Sequence, residues 1–318
     1  MTKHLPIVAQ QTPSGDMDIC DRRIVFFTRL AKGVFVLAGV ILAITQVVQL
    51  ILDGQSLSLW LGLVAGIALA WIGWIADLKH SIKRIVLRHS GSDKWMVWCT
   101  PLILIGLIVG LRYLVGRETF RAISEEGGVI EYGTSVAFLL AAVFAIPVTK
   151  HLWARGNTIL GGAYGMFALL LGFVAFEEIS WGQRLLGVQS PEFFETNNSQ
   201  AEITLHNLLW VNELIDPALI VVGLLGAFSW FMLRSLSRSK HGLLRGGYAL
   251  FVPSWFLSSY FLVVSAVYTC TRYIEPAHYT MSIYGETAEL VLSLGFLMLV
   301  LSSYFRQCLS HRPYSSDL

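Results

Sequence analysis

Eight consecutive residues carry the densest chemistry in this 318-residue chain: Glu177-Glu178-Ile179-Ser180-Trp181-Gly182-Gln183-Arg184, which closes a long apolar run. Adjacent acids and an arginine are costly at membrane depth. Where they occur they face a protein interior or a water-filled hollow, and they mark function. A carboxylate there can serve as a general base or ligate a cation, and an arginine can hold a phosphate or carboxylate. Further along come Glu202 and His206-Asn207, then Glu286 and Glu289, three apart and so neighbours on a helical face. Glu131 opens an apolar stretch as Glu286 does. Carboxylates gathered at such a depth repel, so a cation, a metal or an arginine is expected beside them, with Arg184 and Arg272 available. The residue types assign Glu177, Glu178 and His206 to catalysis. They assign Glu131, Glu178, His206, Glu286 and Glu289 to a divalent metal, and Trp181, Gln183, Arg184, Asn207 and Arg272 to substrate. Use of His206 favours zinc; an all-carboxylate set favours magnesium or manganese.

The elements that must position these groups are transmembrane helices. Hydrophobic residues make up 55% of the chain and charged residues 14%, with mean hydropathy +0.62; a soluble domain carries roughly a quarter charged residues. The sequence predicts an all-α polytopic bundle of about eight spans, near residues 34–51, 59–75, 95–115, 130–148, 160–176, 218–233, 250–270 and 287–304. Residues 1–23 form a polar tail without the apolar core of a cleaved signal, 24–306 the membrane domain with a long loop at 177–217, and 307–318 a second polar tail. A net charge of +2 gives no nucleic-acid signal. Segments rich in Lys and Arg (Arg22 to Lys32, Lys79 to Lys94, Lys150 to Arg155, Arg234 to Arg245, Arg306 to Arg312) alternate with segments holding the acids Asp53, Glu118 to Glu126, Glu177 to Asp216, Glu275 and Glu286. The alternation places both termini in the cytoplasm and the acidic loops on the outer side of a bacterial inner membrane. Glu131, Glu177, Glu178, His206, Glu286 and Glu289 then share one depth on that side.

Local spacing refines this. If the helix carrying Glu177 continues, Glu177, Trp181 and Arg184 share a face and Glu178 points about 100° away; a Glu177–Arg184 ion pair pinning the helix end is the plainest alternative to a site. Glu202 and His206 share a face if their segment is helical. Ser190-Pro191 predicts the cap and first position of a short helix whose Phe193 and Phe194 lie against the bilayer. Glu275-x-x-His278 has a dimetal spacing, but the intervening Pro276 favours a solvated loop. Gly161, Gly162 and Gly165 suit close helix packing. Cys20, Cys99, Cys270 and Cys308 include no C-x-x-C, and no disulfide partner is expected for Cys270 on the outer side. No P-loop or dinucleotide fingerprint is present, so no nucleotide or redox cofactor is indicated.

The run from Glu177 to Arg184, with the Glu125–Glu131 segment before an apolar helix and His206-Asn207 after it, resembles bacterial multi-pass membrane proteins with an E-E-x-S-W-G-Q-R motif, over roughly residues 125–301. That resemblance implies a membrane bundle and brings no activity with it. A second, partial resemblance is to CAAX-protease-like intramembrane endopeptidases, whose pattern is E-E-x-x-x-R, then F-x-x-x-H, then H-x-x-x-N or D. Glu177 and Glu178 match the acids, but Arg184 stands two positions late, F-x-x-x-H does not occur, and His89 with Asp93 falls on the other face.

Three functions follow from these residues. The first is an outer-face membrane enzyme, with a metal held by glutamates and His206 or with a glutamate as general base, acting by hydrolysis or group transfer on a lipid or lipid-linked substrate. The second is a proton-coupled carrier, against which stands the scarcity of ionisable residues in the cytoplasmic halves of the spans. The third is a non-catalytic assembly or sensor subunit whose acids and arginine are a stabilising network. Oligomeric state is not readable from the sequence.

Overall fold

The computed structural model describes residues 91–115, 120, 129–238, 250–274 and 284–309, together with single positions 36, 40, 47, 63 and 67. The chain divides into two compact units, residues 1–84 with 308–311 and residues 85–307 with 312–318. In the first unit the five single positions are helical. The expected spans 34–51 and 59–75, the tail 1–23, residues 310–318, Cys20, Glu118, Glu125, Glu126, Glu275 and His278 otherwise lie outside the described residues; residues 307–309, expected in the second tail, continue the last helix.

The described residues of the second unit are mostly helical and form no strand beyond one isolated bridge. Helix α1 spans Gly91–Val115, α2 Val129–Ala154 and α3 Thr158–Glu178. A connection follows that contains the short helices α4 (Gln183–Leu186) and α5 (Glu192–Asn197), and then come α6 (Leu209–Arg238), α7 (Ser258–Thr269) and α8 (Gly285–Leu309). Five of these, α1, α2, α3, α6 and α8, are long and apolar enough to cross a membrane. The protein is a multi-pass membrane protein. The expected span at 250–270 is not one continuous helix. Pro253 disfavours helical backbone before it, Ser254 is extended, a 3-10 turn occupies Trp255–Leu257, and α7 passes at its end into a π turn at Cys270–Ile274. The span expected at 218–233 begins earlier, at Leu209, and holds Pro217 inside the helix.

Helices α8 and α2 are the inner members, and α1 and α6 expose most of their surface. Phe296 of α8 meets Phe138 of α2, Phe167 of α3 and Phe261 of α7, which makes α8 the axis of the packing. α2 and α3 pack along their length. Gly161 and Gly165 are the small residues that permit it, since a Cβ on Gly165 would meet Thr149 at 3.3 Å; Gly162 faces open space. α6 and α7 approach still more closely at Gly223, where a Cβ would lie 2.7 Å from the Phe261 carbonyl.

Chain direction sorts the charges. α2 and α8 begin, and α3 and α7 end, at the same end of this unit, as cross-contacts among Glu131, Arg184, Tyr268 and Glu289 show. That end holds the acids from Glu131 to Glu289. The other end, where Trp95 packs on Trp255, holds Lys94, Lys150, Arg155, Arg234 and Arg306.

Candidate functional site

The site is built where α3 stops. Its last residue is Glu178, and the next turn is not helical: Ser180, Trp181 and Gly182 take φ of +49°, +55° and +77°. Left-handed backbone costs a non-glycine residue roughly 1–2 kcal/mol, so Ser180 and Trp181 need compensation. Ser180 donates its hydroxyl to Glu202. Trp181 donates its indole N–H to Glu177 at 2.6 Å and stacks its ring on Phe176. The continuing helix expected through Arg184 therefore does not form, and no Glu177–Arg184 pair exists. Arg184 instead joins Glu131 (3.3 Å) to Glu202, tying the start of α2 to the connection.

The adjacent acids have opposite surroundings. Glu177 is 4% exposed. Besides the Trp181 indole it accepts the backbone N–H groups of Leu205 (2.7 Å) and His206 (3.1 Å), and the His206 ring nitrogen Nδ1 lies at 3.2 Å. A carboxylate only accepts, so Nδ1 carries the proton and Nε2 is the lone-pair nitrogen of the neutral ring. Glu177 thus organises the connection, and its oxygens are already filled. For Glu178 no hydrogen bond or ion pair with a described residue exists; its surroundings are other carboxylates, Glu289, Glu286 and Glu131.

Residues 179–208 fold as a compact cap. Asn198 holds it internally, donating to the Thr204 carbonyl (2.9 Å) and accepting from the Gln200 and Glu202 amides. Gln183 clamps it, donating to Ser190 (2.6 Å) and accepting from Ile203 N–H (2.7 Å). An isolated bridge between Asn198 and Leu208 closes its neck. Residues 199–208 are turns, so Glu202 and His206 do not share a helical face: one meets Arg184, the other Glu177. Pro191, extended, caps α5, whose first residue is Glu192; Ser190 is occupied by Gln183 and by the Ala201 carbonyl.

Beneath the cap is a small, open-mouthed cavity of about 20 Å³, lined by Glu131, Glu178, Ser180, Gln200, His206, Asn207, Glu286 and Glu289. One carboxylate oxygen from each of Glu178, Glu286 and Glu289 lies within 4.8 Å of the other two. Tyr268 of α7 donates its hydroxyl to Glu289, which fixes one oxygen of that carboxylate. Asn207 donates to Gln200 at 2.6 Å along the wall.

The structure brings together Glu131, Glu178, His206, Asn207, Glu286 and Glu289 of the expected site residues. Glu177, Trp181, Gln183 and Arg184 support the cap and do not line the cavity. Arg272 is elsewhere: it is exposed, lies 3.8 Å from Asp216, and donates to the Glu213 carbonyl at 3.3 Å. Pro217 explains this. It has no N–H for the carbonyl four residues back, which is that of Glu213, and Arg272 supplies the missing donor. Four residues were not assigned to the site from the sequence: Tyr268, Ser180, Gln200 and Glu202, the last in its role as partner of Arg184. The available signal was depth, since Tyr268 lies in the last turn of its helix beside the acids. Cys99 and Cys270 are free thiols. Comparison with protein-family models, with curated proteins and with solved structures finds no match.

Proposed function

We propose that this chain is an integral-membrane enzyme whose cavity binds a hard divalent cation on Glu178, Glu286 and Glu289 and acts by hydrolysis or group transfer on a lipid or lipid-linked substrate. The observation that carries the reading is the pairing of convergence with vacancy of donors: three carboxylates from two helices share one small volume, and Glu178 meets no described donor while its neighbour Glu177 meets four. Oxygens 2.0–2.6 Å from a common centre are separated by at most about 5 Å, and the observed 4.8 Å falls inside that limit. The donor set is all oxygen, which favours magnesium, manganese or calcium; zinc would need His206, which lines the cavity but is not one of the three converging groups.

A cation so held would polarise a substrate oxygen and acidify a bound water. Glu131 would add negative charge beside the triad, His206 Nε2 would take up a proton, and Tyr268 would keep Glu289 in register. The basic and acidic ends of the bundle support an orientation with this cavity on the outer side of a bacterial inner membrane. The partial resemblance to CAAX-protease-like endopeptidases makes peptide hydrolysis one member of the reaction class. Both arginines are engaged by carboxylates, so an anionic head group would be drawn by the cation and not by the protein's own charge.

The test is Mn²⁺ binding to purified protein, followed by electron paramagnetic resonance, with wild type beside Glu178→Gln and Glu289→Gln. We expect one tight site in wild type and its loss in both variants. Equal binding in all three, or none in wild type, overturns the reading. One observation favours a non-catalytic alternative: the Glu131–Arg184–Glu202 tie spends charge on fastening the cap. Under that alternative Glu178→Gln raises stability and removes nothing else.

A further inference from the structure

The lipid-facing surface of α3 does not end with the helix. Ile159, Met166, Leu169, Leu170, Phe173 and Phe176 are exposed apolar residues, and their spacing of three, four or seven marks one stripe along the helix. In a membrane-spanning helix such a stripe faces acyl chains. Trp181 extends it past the helix terminus. The left-handed turn at Ser180-Trp181-Gly182 folds the indole back so that it stacks on Phe176 (centroids 5.5 Å apart, planes at 14°) and meets Phe173 edge-on at 5.6 Å. About half of the Trp181 surface, 48%, stays open on the same side as the stripe.

The other edge of this indole is wired inward. Its N–H reaches Glu177 Oε1, and Glu177 Oε2 takes the N–H groups of Leu205 and His206 and faces the His206 ring. A single side chain therefore has one face continuous with the lipid-facing surface and one hydrogen bond to the acid that fastens the cap over the cavity. Tryptophan suits this placement, having an apolar ring and one polar edge.

We propose that Trp181, with Phe173 and Phe176, is a bilayer-lipid contact site at interfacial depth, and that this contact seats the cap of residues 179–208 and so the position of His206. The occupant is the carbonyl-proximal part of an acyl chain of a membrane lipid. The proposal is independent of whether the carboxylate triad holds a cation.

The experiment uses the full chain in liposomes of phosphatidylethanolamine and phosphatidylglycerol doped with either of two photoactivatable phospholipids, one with a diazirine near the acyl carbonyl and one with it at the methyl end. Adducts are mapped by mass spectrometry, with the exposed mid-helix residues Val221, Leu224 and Leu225 of α6 as an internal reference for chain-depth labelling. Adducts on Phe176 or Trp181 at least about fivefold higher with the carbonyl-proximal probe, and the reverse preference on α6, support the site. Absence of adducts on both residues while α6 labels overturns it, as does replacement of the lipid adducts by cross-links to a second copy of the chain. A second arm follows amide exchange in the same liposomes: Trp181→Phe keeps the ring and removes the N–H, so faster exchange at Leu205 and His206 with lipid labelling retained supports the coupling. Unchanged exchange at those two amides overturns the link to the cap.

Discussion

The two ends of the second unit are built from different polar groups. At the basic end the contacts are made by or to hydroxyls: Thr149 bonds the Ala145 carbonyl one turn back, Ser303 the Leu250 carbonyl, and Arg306 the Ser254 hydroxyl at 2.7 Å, while the buried hydroxyl of Ser302 has no hydrogen-bond partner among the described residues. Hydroxyls of this kind hold a bundle together with no need for a dedicated loop. At the acidic end the polar groups are ionisable and are satisfied across elements. Glu177 binds the cap, Arg184 spans α2 and the cap, and Tyr268 of α7 reaches Glu289 of α8. Thirty residues of connection are ordered there by Asn198, Gln183 and Glu177. The difference lies in the kind of group left over: at the basic end a neutral hydroxyl, that of Ser302, and at the acidic end a carboxylate, Glu178, which meets no described donor and sits among other carboxylates.

The comparison can be broken most forcefully at the proposed cation. Glu178→Gln combined with Glu289→Gln should weaken Mn²⁺ binding by at least about 100-fold, since loss of even an outer partner costs 10–100-fold, whereas Ser303→Ala at the other end should leave it unchanged; calorimetric titration decides. Next in size is Arg184→Ala. It removes the ion-pair partner of Glu131 and Glu202, whose side chains are 11% and 13% exposed. Breaking a fully buried pair costs about 3–5 kcal/mol, and the 28% exposure of Arg184 lowers the expectation to about 2–4 kcal/mol in chemical denaturation. Arg184→Lys should recover only part, because one ammonium does not reproduce a forked guanidinium. At the α6–α7 crossing, Gly223→Ala drives a Cβ into the Phe261 carbonyl and should cost about 1–3 kcal/mol by overpacking, read as a lowered Tm. Tyr268→Phe sharpens the contrast within the site: about tenfold weaker Mn²⁺ binding with little change in Tm. Smallest is Ser303→Ala, about 1 kcal/mol of stability; a larger loss there would show that the basic end also depends on its polar contacts.

Much of this geometry was legible in residue type and depth. The alternation of basic and acidic segments put Glu131, Glu178, His206, Glu286 and Glu289 at one level, and all five line one cavity. Side-chain direction was not legible, for local reasons. A helical wheel carried past Glu178 assigns Arg184 to Glu177, but the left-handed turn at Ser180 and Trp181 cancels the wheel, and nothing in I-S-W-G marks that turn beyond the single glycine. The arginines were read as free cations for a substrate because sequence shows charge and not partners; Glu202 and the carbonyl left open by Pro217 take them. Tyr268 escaped because a census of ionisable groups passes over a phenol. The helix count was harder still at 250–270, where an apolar run 21 residues long contains a proline and a 3-10 turn.

Pro217 carries one further consequence. By propensity alone, Pro217→Ala mends the hydrogen-bond ladder of α6, and the Glu213 carbonyl would turn from Arg272 back to its own helix. The guanidinium, released from that carbonyl, would keep only Asp216, at 3.8 Å, as its neighbour among the described residues. A substitution that improves one helix would thereby redistribute charge carried by the next, so tolerance at residue 217 reports on electrostatics and not on helix formation.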